Sequence, residues 1–250
     1  MKKRILIRAD DLGYSEGVNY GIAKSVKDGI VRSVGVMTNM EFAQHGLDLL
    51  KETRVCYGQH TNICVGHPLT DPALIPSICQ ENGEFKPSKA YRTAKEEFVV
   101  LDEVILEIEA QYRRFVELTG EQPHYFEGHA VSSENFFKGL AIVAERHHLP
   151  LVPFAVGKAI PFRNTELYPC LGGMEPDYDP SSRLKTAAMR DYGANGCCMF
   201  VCHPGYLDDY ILRTSSMTIA RAKEVEMLIS PSIKRWLEEY EIEVISYDDL

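Results

Sequence analysis

Apolar positions along the chain fall into short unbroken runs, separated by stretches in which they recur every three or four residues. Ile5-Leu6-Ile7 opens a run that stops on Asp10-Asp11, followed by Gly13 and Ser15. The run reads as a buried strand and Ser15 as the cap of a helix. Val18, Ile22 and Val26 share one face of that helix, and Gly29 ends it. A valine-rich second strand is predicted over 31–37 and a second helix around Phe42, Leu47 and Leu50. A short third strand over 55–59 ends on His60. The longest helical pattern covers 96–119, with Val104, Ile105, Ile108, Tyr112 and Phe115 as its buried stripe. Strand four is predicted over 124–127, running into Gly128-His129. A helix over 135–148 and strand five over 151–156 follow. Strand six, 197–202, is wholly apolar and ends at His203-Pro204-Gly205. Helices over 181–192, 217–229 and 231–240 and a last strand over 242–246 complete the pattern.

Two stretches lack a period. In 61–93 prolines and glycines break the pattern, and a loop this long usually serves function, here as a cover for a site. The second, 157–180, reads as irregular. Elsewhere strand and helix alternate, and continuous apolar runs suit strands covered on both sides. The expected fold is α/β: a distorted (β/α) TIM-like barrel with about seven parallel strands, forming one domain over 1–250. A doubly wound open sheet is the alternative, and the lack of a glycine fingerprint after strand one weakens its dinucleotide-binding version.

Composition narrows the class. The 250 residues are 45% hydrophobic and 25% charged, which is ordinary for a globular chain. A net charge of -9 argues against a nucleic-acid partner. The basic start leads into an apolar run too short for a signal peptide, and nothing approaches the roughly 20 apolar residues of a membrane span. The expectation is therefore a cytoplasmic protein with no membrane partner. Seven cysteines, an odd number without a C-x-x-C pair, read as reduced structural thiols.

The chemistry gathers at strand ends. Strand one ends on Asp10 and Asp11, strand three on His60, strand four near His129, and strand six on His203. In a βα barrel these ends meet on one face, where active sites lie. One histidine at a strand end is usually just a satisfied polar residue; four strands ending this way point to a site. Two histidines and a carboxylate commonly hold a divalent metal and leave a position open. The other aspartate is then free to accept a proton, and His203 could protonate a leaving group from the opposite side.

The segments Ala9-Asp10-Asp11-Leu12-Gly13-Tyr14-Ser15, Gln59-His60, Phe126-Glu127-Gly128-His129 and His203-Pro204-Gly205 together resemble the YdjC-like (ChbG-type) carbohydrate deacetylases, nearly end to end. The resemblance implies a distorted βα barrel, one divalent metal ion, and deacetylation of chitooligosaccharides such as diacetylchitobiose. It implies that Asp11, His60 and His129 hold the metal, that Asp10 is the general base and that His203 is the general acid. The ligand set suits zinc; magnesium or manganese could also occupy it. Tyr14, Arg163 and Glu127, with the 61–93 loop, are candidates for holding the sugar. The expected partner is a small N-acetylated sugar, and a homodimer is admitted. Alternatives are a metal-dependent hydrolase of another amide or ester, or a carbohydrate-binding protein without turnover.

The chain departs from the family pattern at one place. Family members usually carry Asp-Ser-His followed two residues later by a second histidine. Here the run is Glu127-Gly128-His129-Ala130-Val131. Glutamate reaches one methylene further, which shifts its contact behind the metal ligands. Val131 offers no polar contact, so the departure bears on substrate choice.

Overall fold

Strand β1 (Lys3–Leu12) is the strand around which the sheet is laid out in the computed structural model, which describes residues 3–153, 155 and 157–250. On one side it runs parallel to β7 (Gly196–Cys202), with Ile5 opposite Cys198 and Ala9 opposite Cys202. The other side is shared. The first half of β1 pairs with β8 (Ile242–Ile245), and the second half pairs with β2 (Ser33–Val36). From β2 the sheet continues through β3 (Cys56–Thr61) to β4 (Tyr125–Gly128). From β7 it continues through β6 (Thr165–Cys170) to β5 (Ile160–Phe162). All pairings between these strands are parallel except the β5–β6 hairpin.

The helices are α1 (Glu16–Lys27), α2 (Ala43–Leu50), α3 (Ser88–Thr93), α4 (Leu101–Thr119), α5 (Glu134–His147), α6 (Pro180–Met189), α7 (Asp209–Thr214), α8 (Ile219–Ile229) and α9 (Pro231–Glu239). Ser15 caps α1 as expected, its hydroxyl accepting from the Val18 N–H at 3.2 Å. Gly120 ends α4 with a φ of 79°.

Alternation along the strands decides which side chains meet. Ile5, Ile7 and Ala9 of β1 share a cluster with Cys198, Phe200 and Cys202 of β7 and with Val18 and Ile22 of α1. Leu6 belongs instead to an inner cluster with Met199, Val201, Tyr125 and Tyr247. Beyond Leu6, the inward positions of β1 are Arg8 and Asp10. Residues of β1, β3, β4, β6 and β7 line a single cavity, so the sheet curls around it. This is the distorted barrel rather than the open doubly wound sheet.

Three expectations need correction. The irregular stretch 157–180 contains the β5–β6 hairpin. Its turn is Arg163-Asn164 with no glycine, and Pro161 lies in the strand, tolerated because β5 ends the sheet. Strand five over 151–156 is reduced to one parallel bridge, Leu151 to Phe126; residues 154 and 156 lie outside the described residues. The long helix starts at Leu101 rather than at 96, and the 61–93 loop carries α3 and a bridge between Cys79 and Phe85. All seven cysteines are free, and all but Cys170 are buried. Among the described residues no helix is long and apolar enough to cross a membrane.

Candidate active site

Adjacent residues on a regular strand point to opposite faces, so Asp10 and Asp11 should not share a site. A break in β1 brings them together. Opposite β2 the register slips between Ala9 and Leu12, and Asp11 adopts a φ of 77°, a left-handed conformation that non-glycine residues seldom take. The bulge turns Asp11 back towards His60 and His129. Its Oδ1 lies 3.2 Å from His60 Nε2 and 3.2 Å from His129 Nδ1, and those nitrogens are 2.9 Å apart. Its Oδ2 accepts from Arg221 Nη2 of α8 at 2.7 Å. Asp10 Oδ2 accepts from Arg8 Nη2 at 2.7 Å, while its Oδ1 is buried without a hydrogen bond among the described residues. Gly35 leaves room for this: a Cβ there would stand 2.9 Å from Asp10 Oδ1 and 3.1 Å from the His60 Cβ.

The electrostatics favour positive charge at the triad. Burial opposes ionisation of Asp11, but Arg221 and His129 outweigh it and hold the carboxyl well below its ordinary range. Burial also opposes charge on His60, yet Glu127 and Asp10 hold its pKa well above the usual histidine value. For His129 burial is outweighed by Asp11 and Cys64, which lift it to about 9. Both rings are thus drawn towards a proton, but two N–H groups cannot share a 2.9 Å gap. Asp11 Oδ1 lies close to both rings without a well-formed hydrogen bond. One divalent cation resolves the conflict. For bonds of about 2.0–2.2 Å to such ligands, neighbouring ligand atoms sit about 2.8–3.1 Å apart around an octahedral ion and about 3.3–3.6 Å apart around a tetrahedral one, a range that contains the triangle observed. His60 Nδ1 donates to Glu127, which leaves Nε2 with its lone pair towards the triad. A carboxylate behind a ligating histidine is the usual support for such a ligand. The donor set therefore fits a divalent metal.

Asp10, His60, His129 and His203 line one cavity of about 460 Å³. His203 follows the end of β7, where its N–H donates to Glu224 Oε2 at 2.6 Å and its carbonyl accepts from Arg221 Nη1 at 3.3 Å. Its Nδ1 is buried without a hydrogen bond among the described residues. Burial pushes its pKa down to about 4, so the ring is neutral at pH 7.

Of the three residues expected to hold the sugar, Glu127 lines the cavity, and Tyr14 and Arg163 do not. Tyr14 is buried, its hydroxyl donating to Thr214 Oγ1 at 3.2 Å and its ring edge-on to His129 at 6.3 Å. It packs against His129 and is not among the residues that line the cavity. Glu127 is buried and committed to His60, with Arg8 at 3.6 Å from its other oxygen. Arg163 stands in the β5–β6 turn with a φ of 51°, donating to the carbonyls of Tyr247 and Leu250 at 3.1 Å. The turn precedes β6, whose first residues pair with the start of β7, and that start is level with the start of β1, so Arg163 is at the far end of the barrel from Asp10.

Sequence reasoning missed Arg8, Arg221, Glu224 and Tyr178. Arg8 was open to inference, since it lies two residues before Asp10 on a strand and so on the same face. Arg221 and Glu224 gave no local signal, because their partners lie far away in the chain. The Tyr178 hydroxyl donates to Glu224 Oε1 at 2.7 Å.

The family described as YdjC-like protein matches residues 4–239. Carbohydrate deacetylase 2 of Listeria innocua is 31% identical, covering 99% of this chain and 98% of its own length. Chitooligosaccharide deacetylase of Proteus mirabilis is also 31% identical, over the full length of both. Among solved structures, a proposed cellobiose-phosphate cleavage protein from Enterococcus faecalis superposes with a TM-score of 0.83 at 20% identity, covering 100% of this chain and 99% of its own. A family 4 carbohydrate esterase from Streptomyces lividans gives a TM-score of 0.51 at 9% identity, covering 99% of this chain and 94% of its own. At such identities these structures speak for the fold.

Proposed function

The chain belongs to the YdjC-like family, and from that premise we propose that it is a metal-dependent hydrolase removing acetyl groups from N-acetylated amino sugars of the chitooligosaccharide type. One observation carries the reading. Asp11 Oδ1, His60 Nε2 and His129 Nδ1 lie within 3.2 Å of one another, beside a cavity that Asp10 and His203 also line. The relatives named carbohydrate and chitooligosaccharide deacetylases support the substrate class.

A divalent cation held by Asp11, His60 and His129 would supply Lewis acidity and a water of lowered pKa. Asp10 accepts the proton of the attacking water through its free Oδ1, while Arg8 holds the carboxylate in place through Oδ2. His203 delivers a proton to the departing nitrogen. The resting ring is neutral, so it takes this proton from solvent water through the cavity that it lines, and the proton Asp10 accepted returns to solvent. The hydroxyl of water ends on the acyl carbon, the C–N bond breaks, and acetate and a free amine result. Arg221 and Glu224 lie outside the cavity lining, and with Glu127 they orient Asp11, His203 and His60.

The test is acetate release from N,N′-diacetylchitobiose by protein stripped of metal and then reloaded with zinc, magnesium or manganese. Release is expected only after reloading. No release with any of the three metals, from folded protein, would sink the reading.

A further inference from the structure

Cys170, the last residue of β6, is the one cysteine of the seven that is not buried. Phe200 of β7 stands opposite it, and Cys198 stands opposite Tyr168. Positions two apart on a strand face the same way, so Cys170 and Cys198 are diagonal neighbours on one face of the sheet. Helix α6 covers that face: its Leu184, Ala187 and Ala188 share a cluster with Cys198, and Cys170 packs against the same cluster. The two thiols are in contact, Cys198 donating to the Cys170 sulfur. Cys170 also borders a cavity of about 490 Å³ on the α6 side.

Three cations, Lys158, Arg183 and Arg190, line that cavity with Cys170. Arg183 Nη1 donates to Glu175 at 2.9 Å and its Nη2 donates to the Leu171 carbonyl, which fixes the guanidinium beside the Cys170 sulfur. The hydrogen bond from Cys198, ahead of Arg183, outweighs burial and brings the Cys170 thiol down to about 6. The same contact, together with burial, holds the Cys198 thiol well above its ordinary value. One sulfur is therefore a thiolate reached from a cavity, and the other a protonated thiol lying against it. Burial pushes Cys56, Cys79, Cys197 and Cys202 upwards instead. A thiolate beside a cation, accessible and backed by a second thiol, is the arrangement that peroxides oxidise first.

We propose that Cys170 and Cys198 form a redox pair, in which a hydroperoxide oxidises Cys170 and Cys198 closes a disulfide with it. In the first step the Cys170 thiolate attacks one peroxide oxygen. The S–O bond forms, the O–O bond breaks, and hydroxide leaves a sulfenic acid. In the second step the Cys198 sulfur attacks the Cys170 sulfur. The S–S bond forms, the S–O bond breaks, and the Cys198 proton leaves with the hydroxyl as water. The two sulfurs together give up two electrons, and the peroxide takes them. Sulfurs in contact reach the bond length of about 2.05 Å when Cys170 shifts towards β7, and β6 ends at that residue. Pro169 and Leu171, on either side of Cys170, line the catalytic cavity, so the bridge lies in the wall of that site.

The experiment treats the full chain, reduced and then freed of reductant, with hydrogen peroxide in small excess. Free thiols are counted after unfolding, and linked peptides are mapped by mass spectrometry. The count is expected to fall from seven to five, with one linked pair, Cys170 to Cys198, that dithiothreitol reopens. Cys198→Ser should stop at the first step, with Cys170 trapped by dimedone as the sulfenic acid. Cys170→Ser should keep its six thiols over the same time. An unaltered protein that keeps all seven thiols overturns the proposal. So does a disulfide that joins any other two cysteines, or oxidation of Cys170 that never links to Cys198. Thiol loss in Cys170→Ser as fast as in the unaltered protein overturns it as well. The thiol count needs no turnover, so this result is independent of the hydrolase reading.

Discussion

Asp10 and Asp11 are chemically identical neighbours, and one backbone angle gives them separate surroundings. The φ of 77° at Asp11 turns its carboxylate to the two imidazoles, while Asp10 keeps the inward direction that β1 already gives Arg8. The division makes a prediction at this scale. Asp10→Asn keeps the ligand triangle and removes the proton acceptor. Like the unaltered protein, it is expected to bind one divalent metal per chain, and it is expected to lose about 10²- to 10⁴-fold in kcat, the usual size of a general-base contribution. Asp11→Asn gives the opposite split, with metal lost first. Metal content and kcat measured on the same preparations decide the matter; metal loss in Asp10→Asn with retention in Asp11→Asn would reverse the assignment. The types and strand-end positions of these residues were legible in the sequence. The bulge was not, because nothing in Ala-Asp-Asp-Leu requires a left-handed aspartate.

Helix α8 shows how an element can be read correctly and its purpose overlooked. Its helical period is plain, but its charged residues look like a solvated face. Arg221 and Glu224, three residues apart and so on one side of the helix, are instead buried against the ends of β1 and β7. Glu224 makes the element sensitive to pH. Its burial outweighs the hydrogen bonds from Tyr178 and the His203 N–H and raises its pKa from 4.5 to about 7. The folded protein therefore keeps this proton up to about pH 7, while the unfolded chain gives it up near 4.5. Across that window the folded state binds more protons, so this contribution to stability is complete below 4.5 and is lost as pH rises towards 7. At 1.36 kcal/mol per pKa unit, the full loss is about 3 kcal/mol. Glu224→Gln keeps an acceptor for Tyr178 and has no proton to lose. Its urea midpoint should fall less between pH 5 and pH 7.5 than that of the unaltered protein. Equal falls would show that Glu224 titrates normally in the folded state.

Across the whole molecule, what could be read from sequence was whatever depends on period and strand position. Apolar runs gave the parallel strands, and the strand-end rule for βα barrels gathered Asp10, Asp11, His60, His129 and His203 before any coordinates. The β5–β6 hairpin escaped because Pro161 and Pro169 disguise its strands and its turn lacks glycine. The partners Arg8, Arg221 and Glu224 matter only once the sheet has closed around them. Closure creates a charge problem with a measurable consequence. Asp10, Asp11 and Glu127 are buried at one rim, faced by the guanidinium groups of Arg8 and Arg221. Counting the three acids as ionised, one negative charge is left over, and a proton on an imidazole or a cation between the ligands must offset it. A cation that binds only the folded chain stabilises it by about 2.7 kcal/mol at a hundredfold excess over its Kd. For a chain of this length that corresponds to about 5–10 °C in melting temperature. Chelator-treated protein should therefore melt lower than metal-loaded protein by that order, and Asp10→Asn should show the same gap. Asp11→Asn should show almost none, because its neutral amide does not complete the three-ligand face. A gap that survives in Asp11→Asn would place the stabilising cation elsewhere in the molecule and detach it from the His60–His129 pair.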